Sequence, residues 1–144
     1  MQEHYRKLER MYLAAPCNSQ FYENTRIKIS HEKAEISCEV LPKHFHAAGA
    51  MHGSGYFRML NDAAYFAVNS ILTDSCVYTV SFNINLTRPV NQGWIKSIGQ
   101  LKFKSNRLYI AEAVLYDDKD QVLSFGTGNF MNSGRPLNEK MGYA

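Results

Sequence analysis

The sequence has few of the features that mark secreted, zinc-stapled or membrane-spanning proteins. It contains only three cysteines, Cys17, Cys38 and Cys76, at wide spacing and without a CxxC pair. This pattern predicts neither a disulfide framework nor a zinc ribbon, and free thiols are typical of a reducing compartment. The charged segment 1–10 lacks the apolar core of a signal peptide, and no run of about 18 apolar residues occurs. We therefore expect a cytoplasmic protein without a membrane segment.

The sequence also lacks a strong excess of charge of one sign. Lys and Arg number 16 against 13 Asp and Glu, a net charge of +3, and the basic residues form no block. This balance does not predict nucleic-acid binding, although a mildly basic surface suits a small ligand that carries phosphates. The chain has 144 residues, of which 45% are hydrophobic. That length and composition predict a single globular domain over residues 1–144.

Two kinds of hydrophobic periodicity divide the chain. Apolar residues at three- and four-residue spacing predict an N-terminal helical arm over residues 1–16, which Pro16 ends,. The apolar stretch 52–72 has two adjacent helical stripes, which predicts one long and largely buried helix,. Most of the remaining chain alternates between apolar and polar residues, which is typical of strands with one buried and one solvent-exposed face.

The alternating segments predict six strands, two before the central helix and four after it. The strand that follows the helix has the clearest alternation, with five apolar residues on one expected face: Tyr78, Val80, Phe82, Ile84 and Leu86. The polar segment 132–144 is expected to be a flexible tail. The order of elements predicts an α+β fold in which an antiparallel sheet wraps around one long central helix. An exposed edge strand in such a sheet favours edge-to-edge pairing of subunits.

The sharpest chemical feature is the glycine-rich segment 49–55, which includes His52 and Gly53 and lies where the central helix begins. Glycine lets a ligand approach the backbone closely. The first turn of a helix offers unpaired N–H groups at the positive end of the helix dipole. Such a place can stabilise an oxyanion. The alternative is an ordinary capped turn between a loop and a helix.

At these residues the sequence resembles the phenylacetate-pathway branch of the hot-dog acyl-CoA thioesterases. That family carries His-Gly-Gly at the start of its central helix, a carboxylate about nine residues later, and a strand that ends near a Ser-Pro or Arg-Pro pair. His52 and Gly53 match the first two residues, Ser54 replaces the second glycine, and a proline follows Arg88. The resemblance implies an acyl-CoA substrate, a homodimer or homotetramer, and no cofactor apart from the coenzyme A of the substrate.

The resemblance also implies roles for individual residues. The backbone N–H of Gly53 would bind the thioester oxygen, and His52 would help to orient the site. His46 stands where the family often has an asparagine that holds the water or the carboxylate. Thr79 stands where a Ser or Thr of the next strand assists the carboxylate. That carboxylate comes from the helix of the second subunit and acts as nucleophile or general base.

The sequence departs from the family at the carboxylate itself. Nine residues after His52 stands Asn61, and Asp62 follows it. Adjacent helical positions differ by about 100°, so Asp62 does not simply replace Asn61. Either an extra residue at the helix entry brings Asp62 into the site, or Asn61 occupies the base position and activity is weak, altered or absent, because an amide cannot take a proton from water. Asp62 could also form a plain ion pair with Arg58, four residues earlier.

The remaining candidate residues would bind substrate or a metal. His46, Ser54 and Arg88 are candidate substrate contacts, and Arg88 suits the phosphates of coenzyme A. His44 and His46 have a spacing that can chelate a metal, but no carboxylate or cysteine completes a ligand set. We therefore expect no metal.

Two other functions compete with thioester hydrolysis. A non-hydrolytic acyl-CoA or acyl-carrier binding protein of the same fold is favoured by Asn61 and by the replaced glycine. A hot-dog hydratase or dehydratase needs a carboxylate beside a histidine in the loop before the helix, and the loop over residues 43–49 contains no Asp or Glu. For a thioesterase and for a hydratase or dehydratase alike, the expected small-molecule partner is an acyl thioester. We expect no role for nucleic acid or a membrane.

Overall fold

A computed structural model describes residues 1–144 and contains one six-stranded antiparallel sheet and one long helix. The elements are α1 (Gln2–Ala14), α2 (Pro16–Gln20), β1 (Thr25–Ser30), β2 (Lys33–Glu39), α3 (Gly53–Asn69), β3 (Ser75–Leu86), β4 (Trp94–Lys104), β5 (Tyr109–Tyr116) and β6 (Val122–Pro136), with 3₁₀ turns at Pro42–His44 and Glu139–Met141. The strand order is β1-β2-β4-β5-β6-β3. The predicted α+β hot-dog architecture is thereby confirmed.

The central helix α3 packs along the inner face of the sheet, and most of its side chains are buried. The helix approaches the sheet closely at Gly99 of β4, where an added Cβ would lie 2.3 Å from the backbone of Ala63. A side chain at position 99 would therefore push the helix away from the sheet. No helix in the structure is both long enough and apolar enough to cross a bilayer.

The arm helix α1 covers the outer edge of β1. The Glu9 carboxylate accepts a hydrogen bond from the Ile29 N–H at 2.8 Å, and the Arg6 guanidinium donates to the Ile29 carbonyl at 3.1 Å. Arg6 and Glu9 are themselves paired at 2.9 Å. The outward-facing backbone groups of Ile29 are thus already satisfied. At the opposite edge of the sheet, β6 is the only neighbour of β3.

A β-bulge interrupts the alternation of β3. Val80 has no partner in β6, whereas Thr79 and Ser81 are both paired. Thr79 faces α3 before the bulge, and Phe82 faces it afterwards, where its ring contacts Phe57. The five apolar residues predicted on one face are therefore divided, because an extra residue reverses the phase of a strand. Of these, Val80 is 52% exposed.

The C-terminal segment is ordered, contrary to the prediction of a flexible tail over residues 132–144. β6 continues to Pro136 and pairs with the start of β3, and a 3₁₀ turn follows. The Tyr143 hydroxyl then lies 2.8 Å from His4 Nδ1, and the Arg10 side chain donates to the Ala144 carbonyl at 2.7 Å. The sequence pattern does not reveal this order because the hydrogen-bond partners of the segment lie in β3 and in the N-terminal arm, far away in sequence.

Candidate active site

A pocket of about 360 Å³ opens at the N-terminus of α3. Its lining brings together three of the predicted site residues, His46, Gly53 and Arg88, with the following neighbours: Ala50, Met51, Tyr56, Leu86, Thr87 and Pro89. Glycine and loop backbone therefore form one side of this pocket, and the end of β3 forms the other.

The backbone N–H of Gly53 is a free donor in this pocket, and it lies at the start of α3. The two N–H groups that follow it are used inside the protein, because Ser54 donates to His52 Nδ1 at 3.0 Å and Gly55 donates to the His52 carbonyl at 2.9 Å. The Gly53 N–H has no acceptor. A Cβ at this position would meet only a Leu86 methyl group at 3.7 Å, so the space above Gly53 is open. An N–H at the positive end of a long helix is suited to a developing oxyanion.

The polar side chains around Gly53 hold the loop and the helix start. His52 caps α3, and its Nδ1 also lies 2.9 Å from Ser54 Oγ. His46 Nδ1 accepts from the Ala48 N–H at 3.0 Å, and its ring is exposed. The Arg88 carbonyl accepts a hydrogen bond from the Tyr56 hydroxyl at 2.6 Å. The Arg88 side chain is exposed, and its guanidinium has no partner in the chain.

A second pocket, of about 340 Å³, lies farther along α3 and contains three more of the predicted residues, whereas His52 and Ser54 line neither pocket. Asn61, Asp62 and Thr79 line it together with residues of the arm and the C-terminal segment: Met11, Tyr12, Ala15, Cys17, Asn18, Tyr65, Phe66 and Met141. Asn61 is eight residues beyond Gly53 in α3, which is about 12 Å along the helix axis. One chain therefore keeps the oxyanion donor and the Asn61–Asp62 pair in separate pockets.

Asn61 is the residue that contacts the strand after the helix. The Thr79 hydroxyl donates to Asn61 Oδ1 at 2.8 Å, and Asn61 Nδ2 donates to Asp62 Oδ1 at 3.1 Å. The bulge at Val80 lets Thr79 and Phe82, which are three residues apart, both face α3,. Asn61 therefore lies beside Thr79, where the family resemblance expects a carboxylate. One N–H and one lone pair of its amide stay free.

Asp62 lies beside Asn61 and is the only carboxyl group that lines this pocket. The Tyr12 hydroxyl donates to Asp62 Oδ2 at 2.7 Å, and the Asp62 side chain is 22% exposed. Burial raises the pKa of Asp62, and the hydrogen bonds from Tyr12 and Asn61, with the charge of Arg58, pull that pKa back down. A partly accessible carboxylate with a raised pKa is suited to accept a proton near neutral pH.

Arg58 is not the surface partner of Asp62 that its four-residue spacing suggested. It is buried, and its Nη2 donates to Asn18 Oδ1 at 2.7 Å and to Thr25 Oγ1 at 2.9 Å. Its guanidinium lies 3.9 Å from the ring centre of Tyr22. Arg58 Nε is 3.9 Å from Asp62 Oδ2, too far for a hydrogen bond, and has no other partner,. Arg58 thus forms the ion pair with Asp62 that its spacing predicted, but the pair is long, largely buried and without a hydrogen bond.

Tyr12 and Asn18 are two polar residues at this pocket that sequence reasoning missed. Tyr12 belongs to the apolar stripe of α1, so its spacing predicts a core residue and gives no sign of the contact with Asp62. Asn18 lies in a short polar segment after Pro16 and carries no motif. Only the packing of the arm against α3 identifies either residue.

The histidine pair that could have chelated a metal is separated by its hydrogen bonds. His44 is buried, with Nε2 3.0 Å from the Phe21 carbonyl and Nδ1 accepting from the Leu41 N–H. His46 is exposed and uses Nδ1 within its own loop. No three His, Cys, Asp or Glu side chains converge in the structure.

Comparison with known families gives one match. Residues 48–124, more than half of the chain, match the model of the thioesterase superfamily. This segment includes every residue that lines the Gly53 pocket except His46, all of α3 and the open edge strand β3. No curated protein sequence is significantly similar to the chain.

Solved structures share the fold at low sequence identity. The PaaI protein from the phenylacetic acid degradation operon of Escherichia coli superposes with a TM-score of 0.84 at 14% identity, over 95% of this chain and 98% of that one. A mutant of a Staphylococcus aureus thioesterase gives 0.72 at 16% identity, over 77% and 93%. A mutant of the phenylacetic acid degradation protein PaaI of Thermus thermophilus gives 0.68 at 16% identity, over 75% and 92%.

Proposed function

The chain belongs to the thioesterase superfamily, and from this premise we propose that it is an acyl-CoA thioesterase that hydrolyses its substrate to a free acid and coenzyme A. The observation that carries the proposal is the unpartnered N–H of Gly53 at the start of α3, which faces an open pocket. Thioester hydrolysis places negative charge on the carbonyl oxygen in the transition state. A preorganised donor at a helix N-terminus stabilises that charge without having to reorganise.

The attacking water would be held by Asn61 and deprotonated by Asp62. Asn61 offers a free lone pair and a free N–H but no basic group, whereas Asp62 is the only carboxylate in the pocket,. The water oxygen attacks the thioester carbon as its proton passes to Asp62, and the oxyanion forms at the Gly53 N–H. Collapse of the intermediate breaks the C–S bond, and the proton passes from Asp62 to the departing thiolate. Thr79 keeps the Asn61 amide oriented.

The two halves of this site would come together in a homodimer. Leu86, at the end of β3, lies beside Gly53, whereas Thr79, near its start, contacts Asn61. Antiparallel pairing of two β3 edges sets the end of one strand against the start of the other. The Gly53 pocket of one subunit then meets the Asn61–Asp62 pocket of the second. A tetramer of two such dimers would keep the same site.

Coenzyme A would enter at the Gly53 pocket. The exposed guanidinium of Arg88 has no partner in the chain and suits a phosphate group,. His46 lines this pocket and Ser54 follows Gly53 in the chain. Both side chains are exposed and would contact the pantetheine part of the substrate. The acyl group would then extend towards Asn61 and Asp62 of the second subunit.

One observation favours the alternative function, a non-hydrolytic acyl-CoA binding protein. Asn61, which cannot act as a base, is the residue that Thr79 contacts,. If Asp62 takes no part in catalysis, the site retains its oxyanion donor and both pockets but has no group to activate water. Such a protein would bind acyl-CoA without cleaving it.

Thiol release from a panel of short, medium, long and aryl acyl-CoAs distinguishes the two functions. We expect hydrolysis by the unmodified protein and a loss of roughly 10²- to 10⁴-fold in kcat for Asp62→Asn, the usual contribution of a general base. Asp118→Asn, which removes an exposed carboxylate elsewhere, is the matched control.

The variant Asn61→Asp adds the decisive comparison. If the unmodified protein binds acyl-CoA in calorimetry but releases no thiol, and Asn61→Asp gains activity, the protein is a binding protein that lost its carboxylate at position 61. If Asp62→Asn is inactive and Asn61→Asp gives no gain, Asp62 is the base.

A further inference from the structure

We propose that Tyr12, carried by the N-terminal arm, is a positioning residue for the Asp62 carboxylate, which makes the arm part of the active site. This inference rests on the proposed function, because it assigns Asp62 as the base. It adds a residue outside the matched segment 48–124. The observation behind it is the hydrogen bond from the Tyr12 hydroxyl to Asp62 Oδ2 at 2.7 Å.

The two oxygens of Asp62 are held by two different donors. Tyr12 binds Oδ2, and Asn61 Nδ2 binds Oδ1 at 3.1 Å. With both oxygens bound, the plane of the carboxylate is fixed relative to the water that Asn61 would hold. Tyr12 is itself rigid, because its ring is 6% exposed and packs edge-on against Phe66 with ring centres 5.1 Å apart.

Tyr12 is the hydrogen-bond donor to Oδ2 in the structure. Arg58 Nε lies 3.9 Å from this oxygen and makes no hydrogen bond. Its guanidinium cannot easily move closer, since Asn18 and Thr25 both bind Nη2 and the plane stacks on Tyr22. Without the Tyr12 hydroxyl, Oδ2 would therefore have no hydrogen-bond donor within the chain.

The sign of the effect on Asp62 follows from the groups around it. Arg58 and Tyr65 lie on the same helix as Asp62, Tyr12 faces it from α1, and Cys17 of α2 lies near Tyr12. Burial and the charge of Asp62 raise the pKa of Tyr12, so its hydroxyl remains a donor at neutral pH. The hydrogen bond favours the ionised carboxylate and lowers the pKa of Asp62,. Removing it raises that pKa, so the base is protonated up to a higher pH.

The arm helix α1 makes the Tyr12–Asp62 contact and also binds the edge of β1. Glu9 and Tyr12 are three residues apart on α1 and lie on one face of the helix. Glu9 binds the edge of β1 while Tyr12 binds Asp62. The position of the Tyr12 hydroxyl is therefore set by the same contacts that hold the arm on the sheet.

Tyr12→Phe tests the proposal, because it removes the hydroxyl and keeps the ring that packs on Phe66. Tyr5→Phe is the matched control on the same helix, since Tyr5 is 5% exposed and its hydroxyl has no hydrogen bond. For Tyr12→Phe we expect kcat at neutral pH to fall about tenfold with little change in KM, as for a misoriented catalytic group. The acidic limb of the kcat–pH profile should move to higher pH. Tyr5→Phe should change neither.

A carboxyl ¹³C NMR titration of Asp62, assigned with Asp62→Asn, gives a readout that does not need turnover. The proposal is supported if Asp62 titrates at higher pH in Tyr12→Phe than in the unmodified protein and in Tyr5→Phe. It is overturned if Asp62 titrates alike in all three. If no acyl-CoA is cleaved but the pKa of Asp62 is higher in Tyr12→Phe, the proposed hydrolysis is wrong, whereas the hydrogen bond by which Tyr12 positions Asp62 is supported.

Discussion

The two edges of the sheet present the same kind of backbone and are treated in opposite ways. At β1, the arm supplies an acceptor and a donor to the outward-facing groups of Ile29, from Glu9 and Arg6. At β3, no element covers the edge, and apolar side chains beside it remain exposed: Phe57, Tyr78, Val80 and Leu86. One edge is thus closed within the chain, and the other is left open,.

Both halves of the site lie along the open edge strand, but at its two ends. The second pocket lies between the arm that closes β1 and Thr79 near the start of β3. The Gly53 pocket lies at the end of β3, beside Leu86. We expect a second copy, added at β3, to complete the site.

The largest effect is expected from closing the open edge. Val80→Lys combined with Asn83→Lys adds two charges at exposed positions of β3 outside both pockets. Lysine on an edge strand opposes strand pairing. We expect monomers in analytical ultracentrifugation and a loss of activity of about 10²-fold or more, because each pocket loses its complement. The matched control Phe103→Lys with Gln121→Lys adds the same charge elsewhere. An active monomer would contradict the composite site.

A smaller effect is expected from opening the closed edge. Glu9→Ala leaves the N–H of Ile29, a residue that is 1% exposed, without its acceptor. The cost of an unsatisfied buried donor is about 1–3 kcal/mol of unfolding free energy. Glu9→Gln keeps an acceptor oxygen and should lose less, which urea denaturation of both variants can measure. Equal denaturation midpoints for the two variants would mean that Glu9 does not cap β1.

The smallest effect is expected inside β3, where Thr79 faces the helix next to the bulge. Thr79→Val keeps the shape of the side chain but removes the hydrogen bond to Asn61. We expect a loss of about 0.5–1.5 kcal/mol in unfolding free energy, together with lower kcat because the Asn61 amide is freed. Thr79→Ser retains the hydroxyl and should preserve kcat. If the Ser and Val variants have the same kcat, the orientation of Asn61 does not matter.

Much of the fold was predictable because its periodicities are local. The helical stripes of residues 52–72 predicted α3, and Pro16 correctly ended α1. The bulge at Val80 was not predictable, since nothing in an alternating run marks the extra residue. The order of segment 132–144 was also hidden, because its polar groups bind the arm far away in sequence.

The site was predictable only in part. The glycine-rich entry to α3 led to the Gly53 pocket, since a helix N-terminus can be recognised from its capping residues,. The choice between Asn61 and Asp62 stayed open in the sequence, because the spacing of two adjacent polar residues does not show which side chain faces the site. The contacts of Thr79 with Asn61 and of Tyr12 with Asp62 distinguish them.

By itself the sequence determined the α+β class, the start of the central helix and the residue types available for chemistry, because these follow from spacing along the chain. The tertiary structure alone decided which polar atoms meet. It buried Arg58 away from the surface, brought Tyr12 of the arm to Asp62, and closed one sheet edge while leaving the other open. Those outcomes depend on packing between segments far apart in sequence, which no local pattern encodes.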